Sequence, residues 1–242
     1  MRVLSFSEKG CIRKNNEDSF LVLLSEGLYA VADGMGGHRA GEVASSAALQ
    51  ELKQLVSGLG DVEGEALESK LAEAFEQANR VVYQSSTTEP EKAGMGTTLT
   101  VLLVRSKTVV IAHVGDSRAY LWRDEVLTSL TTDHSLVGEL VRLGQISAEE
   151  AEKHPQRHVL MRAVGADSEI QVDCKSISLQ TGDVFLLCTD GFSNMISDQE
   201  LADEFLSRAS WEDRFEKLRQ LTLERGAPDN FTAMCCISEY ET

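Results

Sequence analysis

An apolar run that stops at Asp-Gly occurs twice in this chain, as LYAVADG ending at Asp33-Gly34 and as VFLLCTDG ending at Asp190-Gly191. Two related endings accompany them: VVIAHVGDS, which carries Asp116, and APDN, which sets Asp229 just before the apolar run FTAMCCI. Each run is short and bounded by turn residues, the pattern of a buried strand. Four carboxylates therefore stand at the ends of four candidate core strands. Two unit charges ~4 Å apart repel by ~1 kcal/mol in water and by ~4 kcal/mol at an effective dielectric of about 20. Acids that converge in this way call for cations among them. A single Asp-Gly has another reading, a hairpin turn, because both residues tolerate positive φ. Recurrence on separate strands favours the metal.

Further apolar runs predict strands over 3–7, 19–24, 28–32, 97–104, 109–114, 118–122, 170–177, 184–188 and 231–238. Two helical patterns interrupt them. Val43, Ala47, Leu52 and Val56 fall near one face of the first, and Leu67, Leu71, Phe75, Ala78 and Val82 near one face of the second. A late helix carries Trp211, Phe215, Leu218 and Thr222 at helical spacing, and another starts after Asp198 as its N-cap. These stripes read as core faces. Strands in runs, with helices inserted in pairs, argue against a doubly wound sheet. They fit two stacked, largely antiparallel sheets with helices packed outside.

With 42% apolar residues, three prolines and no Gly/Ser-rich tract, residues 1–242 are expected to form one domain. Residues 133–165 stand apart. They are charged, hold His134, His154, Pro155 and His158, and carry helical stretches over 135–143 and from Ser147, a good N-cap, to Lys153. Such a surface insertion between core strands can serve as a flap facing substrate.

Thirty-nine acids against 23 bases leave a formal net charge of −16. That surface repels nucleic-acid backbones and anionic membranes, so neither is expected as a partner. The five cysteines include no C-x-x-C pair and read as reduced, mostly buried thiols. The opening MRVLSFSEKG lacks the features of a signal peptide, and no segment approaches the ~20 apolar residues that span a bilayer. A soluble, cytoplasmic monomer is expected.

Aspartate, backbone carbonyl and water suit Mg²⁺ or Mn²⁺, whereas zinc would want Cys or His ligands at close spacing, and no segment shows the alternating acids of an EF-hand. Asp33 is the natural bridging ligand, because Gly34 permits a tight turn whose carbonyl can also face a metal. In CIRKNNEDSF, Arg13 offers a planar fork for a phosphate, and Glu17 and Asp18 add two carboxylates. The GMGGHRAGE that follows Asp33 lacks the Lys and Ser/Thr of a nucleotide-binding P-loop. Its glycines let the backbone pass close to the metals and deliver His38, an imidazole able to protonate a leaving alkoxide.

Taken together, RKNNEDSF, VADGMGGH, MGTTLTVLLV, HVGDSRAY, TTDHS, LMRAVG, LLCTDG and APDN resemble, in order and over essentially the whole chain, the type 2C metal-dependent protein serine/threonine phosphatases in their compact bacterial form. The resemblance implies an α+β fold, a four-layer α-β-β-α sandwich of two largely antiparallel sheets flanked by helices, with a two-metal site at one edge. It implies one ion on Asp33, Asp190 and Asp229 and a second on Asp33 and the Gly34 carbonyl, with Glu17 and Asp18 on the metals or their waters. Asp116, with Asp190, matches a third and weaker site, Arg13 the phosphate-binding arginine, and His38 the general acid. Two Mn²⁺ or Mg²⁺ ions would share a water, lower its pKa and supply hydroxide for in-line attack on phosphorus without a phosphoenzyme. The absence of a C-x₅-R loop agrees. Phosphorylated proteins are the implied substrates, with a cognate serine/threonine kinase as the opposing partner in bacterial signalling. Thr189, where serine is common, and the GAPDN approach to Asp229 depart from the pattern without removing a ligand. Two alternatives stand beside this reading: a catalytically weak relative that binds phosphoproteins, and a phosphatase of small metabolites.

Overall fold

A computed structural model of the chain describes residues 1–37, 40–60, 62 and 64–239. The strand-forming runs assemble into two antiparallel sheets. One has the order β1 (Arg2–Glu8), β11 (Phe231–Ile237), β10 (Val184–Cys188), β7 (Arg118–Arg123), β8 (Val126–Ser129). The other has the order β2 (Asp18–Leu23), β3 (Leu28–Met35), β5 (Leu99–Arg105), β6 (Thr108–Val114), β9 (Asp173–Ser178), with the short β4 (Gly96–Thr97) pairing the end of β3.

Alternation of side chains along each strand separates three apolar layers. Tyr29, Val31, Leu102 and Ile111 of the second sheet meet Leu121, Phe185, Leu187 and Met234 of the first between the sheets. The opposite faces of β3, β5 and β6 pack on α1 (Ala40–Ser57) and α2 (Glu65–Thr88) through Ala30, Val101 and Val110 against Leu52, Leu71 and Phe75. Beyond the first sheet, Leu186, Ala233 and Cys235 pack on α5 (Asp190–Ser193), α6 (Asp198–Leu206) and α7 (Trp211–Glu224) through Phe192, Leu201, Phe205 and Phe215. This is the four-layer α-β-β-α sandwich expected.

Several local expectations shift. The inner stripe of α1 is Ala40, Ala44, Ala48, Leu52 and Val56, at a spacing of four, while Val43 is exposed and Ala47 only half-buried. Small alanines let the helix lie close to the sheet, so the larger valine marks the wrong face. The N-cap of α6 is Ser197, not Asp198: its side chain accepts from the Glu200 N–H, and Glu200 reaches back in a capping box. The last strand of the second sheet begins at Asp173 rather than at residue 170, and β8 and the four-residue α5 were not expected.

Residues 133–165 leave the first sheet after β8 and return to the second at β9, carrying α3 (Leu136–Arg142) and α4 (Ala148–Glu152). Ser147 caps α4 with a capping box, as its sequence suggested. Isolated bridges Ser135–Leu160 and Thr97–Val164 pin the base of this segment. All five cysteines are unpaired, with Cys188, Cys235 and Cys236 buried, Cys174 half-buried and Cys11 exposed. Among the described residues no helix is long and apolar enough to cross a membrane.

Candidate metal centre

The carboxylates converge at one end of the sandwich, where both sheets deliver strand ends. Asp18 and Asp33 face each other across the β2–β3 ladder. The backbone of Asp33 is fixed: its N–H donates to Thr98 Oγ1 (2.9 Å), and its carbonyl accepts from Thr97 Oγ1 (2.8 Å) and the Thr98 N–H (2.9 Å). Asp190 is the first residue of α5, directly after β10, and its Oδ2 accepts from Asn194 Nδ2 (3.2 Å). Asp116 follows β6 in the turn toward β7. Asp229 precedes β11; its Oδ1 accepts from the Asn230 N–H (2.8 Å) and its Oδ2 from Arg13 Nη2 (2.7 Å).

Asn230 ties the N-terminal loop to this end of the fold. Its Oδ1 accepts from the Glu17 N–H (2.8 Å), and its Nδ2 donates to the carbonyls of Lys9 (2.9 Å) and Asn15 (2.8 Å). Glu17, half-buried, is thereby held beside Gly34, whose N–H donates to the Glu17 carbonyl (3.2 Å). Arg13 sits at the lip, its side chain about half exposed with its guanidinium on Asp229.

The electrostatics record the crowding. Burial, followed by the charges of Asp18, Asp190 and Asp116, holds the Asp33 carboxyl well above its ordinary value, and Asp33 shares a hydrogen bond with Asp190. Burial pushes Asp18 up to about 7, against hydrogen bonds from Thr232 and Thr189. Asp116 rises to about 8 through burial and the charges of Asp190 and Asp133. Asp190 and Glu17 are also raised, burial being the first cause for each. These acids keep some solvent contact, Asp18 excepted, yet protein surrounds them on most sides.

Among the described residues no three His, Cys, Asp or Glu side chains already stand in the spacing of a closed metal cage, and Asp33 and Asp190 instead meet through their hydrogen bond. The donor set nevertheless fits a hard divalent cation. It consists of carboxylate oxygens forced together at the cost of raised pKa values, and Asp18 Oδ1 is buried with no hydrogen-bond partner at all. A donor set of carboxylate oxygens suits Mg²⁺ or Mn²⁺.

Neither Asp-Gly is a hairpin. Gly34 lies inside β3 and Gly191 in the first turn of α5, and neither has a positive φ. The tight turn expected at Gly34 is therefore corrected: what this position needs is the absence of a side chain. A Cβ on Gly34 would lie 2.1 Å from the Gly41 carbonyl oxygen and 2.6 Å from that of Glu17. A Cβ on Gly191 would lie 1.9 Å from the carbonyl oxygen of Asn230.

The structure thus brings together Asp33, Gly34, Asp190, Asp116, Asp229, Glu17, Asp18 and Arg13. His38 lies outside the described residues. The sequence reading named Thr189 only as a departure from serine and missed its contact with the acids: its hydroxyl donates to Asp18 Oδ2 (2.8 Å) while accepting from the Thr232 N–H (2.9 Å). A lone hydroxyl after an apolar strand gives no signal of a neighbour 171 residues away.

The profile of the family described as protein phosphatase 2C matches residues 12–228. The chain is 38% identical over 232 residues to the serine/threonine phosphatase stp of Listeria monocytogenes serotype 4b, covering 94% of this chain and 92% of that protein. It superposes on the crystal structure of the Mycobacterium tuberculosis serine/threonine phosphatase PstP/Ppp with a TM-score of 0.90 at 38% identity, covering 99% of each chain. The catalytic domain of PstP in complex with two manganese ions gives a TM-score of 0.85 at 37% identity, over 97% of this chain and 96% of that one.

Proposed function

This chain belongs to the protein phosphatase 2C family and is a metal-dependent serine/threonine phosphatase; from that premise we propose how its own residues hydrolyse phosphoserine and phosphothreonine in proteins. Asp33, Asp190, Asp229 and the Gly34 carbonyl would hold two Mn²⁺ or Mg²⁺ ions, with Glu17 and Asp18 on the ions or their waters. Asp116 and Asp190 would hold a weaker third. Bound ions supply charge neutralisation at the phosphate and a lowered pKa for water.

The protein's part is positioning. Arg13, at the lip beside Asp229, turns its fork onto the non-bridging phosphate oxygens. Water attacks phosphorus in line with the seryl or threonyl oxygen, and His38 returns a proton to that oxygen. No phosphoenzyme is needed, and burial raises the thiols of Cys174, Cys188 and Cys235 to about 11, 12 and 12, which makes them poor nucleophiles. We take residues 1–242 as one catalytic domain whose segment 133–165 faces the phosphoprotein. A monomeric, cytoplasmic enzyme opposing a serine/threonine kinase belongs to the same proposal.

The observation that carries this reading is the convergence of carboxylates from both sheets, with Asp18 and Asp33 facing each other across the β2–β3 ladder and Thr189, next to Asp190, bonded to Asp18. Its test is release of phosphate from a phosphothreonine peptide with Mn²⁺, with excess EDTA, and in Asp33→Asn. Activity is expected only in the first case. Turnover that persists in EDTA, or at wild-type rate in Asp33→Asn, refutes it.

A further inference from the structure

Between the sheets, behind the acids, lies a set of buried polar side chains that the mechanism does not use. Thr98, Thr100, Ser117 and His113 are each at most 1% exposed. They sit at one end of an apolar layer, where buried polar groups cost free energy unless they are hydrogen-bonded. Among the side-chain polar atoms of these four, only His113 Nε2 has no partner. Thr98 Oγ1 accepts from the Asp33 N–H (2.9 Å) and lies 2.7 Å from Ser117 Oγ. Thr100 Oγ1 donates to the Ser117 carbonyl (3.2 Å) and lies 2.9 Å from Nδ1 of His113, its direct cross-strand neighbour. Gly115 presses on the same place: a Cβ there would lie 2.5 Å from Thr98 Cγ2.

This network joins two strand ends that repel each other. Asp33 lies near the end of β3, and Asp116, adjacent to Ser117, sits in the turn after β6. We propose that the Thr98–Ser117 hydroxyl pair is a positioning device that fixes Asp33 relative to Asp116, with Thr100 and His113 bracing it from behind, and so sets the affinity of the centre for divalent cations. The inference rests on the reading of Asp33 and Asp116 as metal ligands. Thr98 and Ser117 touch neither substrate nor ion; they act through the backbone of the residues that do.

The test is direct Mn²⁺ binding by calorimetry on the full chain, with melting curves alongside. Thr98→Val keeps the shape and deletes the hydroxyl; loss of a partner of this kind weakens metal binding by about 10- to 100-fold. Thr98→Ser keeps the hydroxyl and deletes the methyl, and its Mn²⁺ affinity stays close to wild type even if its melting temperature falls. Should Thr98→Val not fold, Ser117→Ala removes the same contact from the other side with the same expected loss. Where both single variants fold, the double variant loses no more than the larger single loss. Unchanged affinity in Thr98→Val, or a loss in Thr98→Ser that parallels it, overturns the inference. Wild-type affinity in Asp33→Asn instead overturns the ligand reading, and this inference with it.

Discussion

Replacing Gly34 by alanine isolates the claim that the Asp-Gly endings exist for close approach and not for turning. Gly34 has no positive φ, so a methyl group brings no backbone strain of its own. The whole effect comes from contact. The added carbon would stand 2.1 Å from the Gly41 carbonyl oxygen, 2.4 Å from its carbon and 2.6 Å from the Glu17 carbonyl oxygen. Ordinary heavy-atom contacts lie at about 3.5 Å or more, so more than ~1 Å of separation must be found. All three obstacles are backbone, in the first turn of α1 and in the loop before β2, and no rotamer change relieves them. Overpacking of this kind costs about 1–3 kcal/mol, occasionally more. For a chain of this size that is a fall in Tm of roughly 2–12 °C, and the rigid obstacles place it in the upper half.

Gly37 is the internal control. It belongs to the same glycine-rich stretch, has no positive φ, and a Cβ there would meet nothing within 4 Å among the described residues. Gly37→Ala should stay within about 0.5 kcal/mol of wild type. Both variants are melted in excess EDTA, so that ion binding cannot carry the difference, and then titrated with Mn²⁺. Gly34→Ala should melt well below Gly37→Ala and bind Mn²⁺ more weakly, because moving its carbonyl and Glu17 disturbs the ligands. Gly191→Ala, with a contact of 1.9 Å, should follow Gly34→Ala. Equal melting temperatures for Gly34→Ala and Gly37→Ala would refute the close-approach argument.

Two further outcomes follow from the same geometry. Burial and mutual repulsion raise the folded-state carboxyls, Asp18 to about 7, Asp116 to about 8 and Asp33 well above its ordinary value, so the metal-free folded chain keeps protons that the unfolded chain has lost. Its stability should therefore fall as the pH rises from about 4 through the folded-state values, and saturating Mn²⁺ should flatten that slope. Mn²⁺ binding should release protons at about pH 6 and far fewer at about pH 9, read as buffer-dependent calorimetric enthalpies; release that does not change with pH would contradict the raised carboxyls. Asn230→Ala strips partners from the Glu17 N–H and from the carbonyls of Lys9 and Asn15, each exposed group costing about 1–3 kcal/mol if it finds no water. A loss of at least ~2 kcal/mol by denaturant titration is expected, and a change within ~0.5 kcal/mol would show that the N-terminal loop is held elsewhere.

What the sequence revealed and what it hid divide along a physical line. An apolar run closed by an acid is a local property, and Asp33, Asp116, Asp190 and Asp229 could be found because each carries its own signal. Alternation is local too, so the two sheets and their three apolar layers follow from residues such as Tyr29, Ala30 and Val31 taken in turn. The partners of the acids are not local. Thr98 meets Asp33 across 65 residues, Thr189 meets Asp18 across 171, and Asn230 meets Glu17 across 213. A threonine in a strand reads only as a good strand former, and nothing in its neighbourhood says that its hydroxyl faces an aspartate's backbone. The same division explains Gly34. Its role depends on Gly41 and on Glu17, which come to it from a helix and from another loop. Asp-Gly is therefore ambiguous as a dipeptide and specific only in place: the acid supplies charge at a strand end, and the glycine lets a second backbone come close enough to hold that charge still.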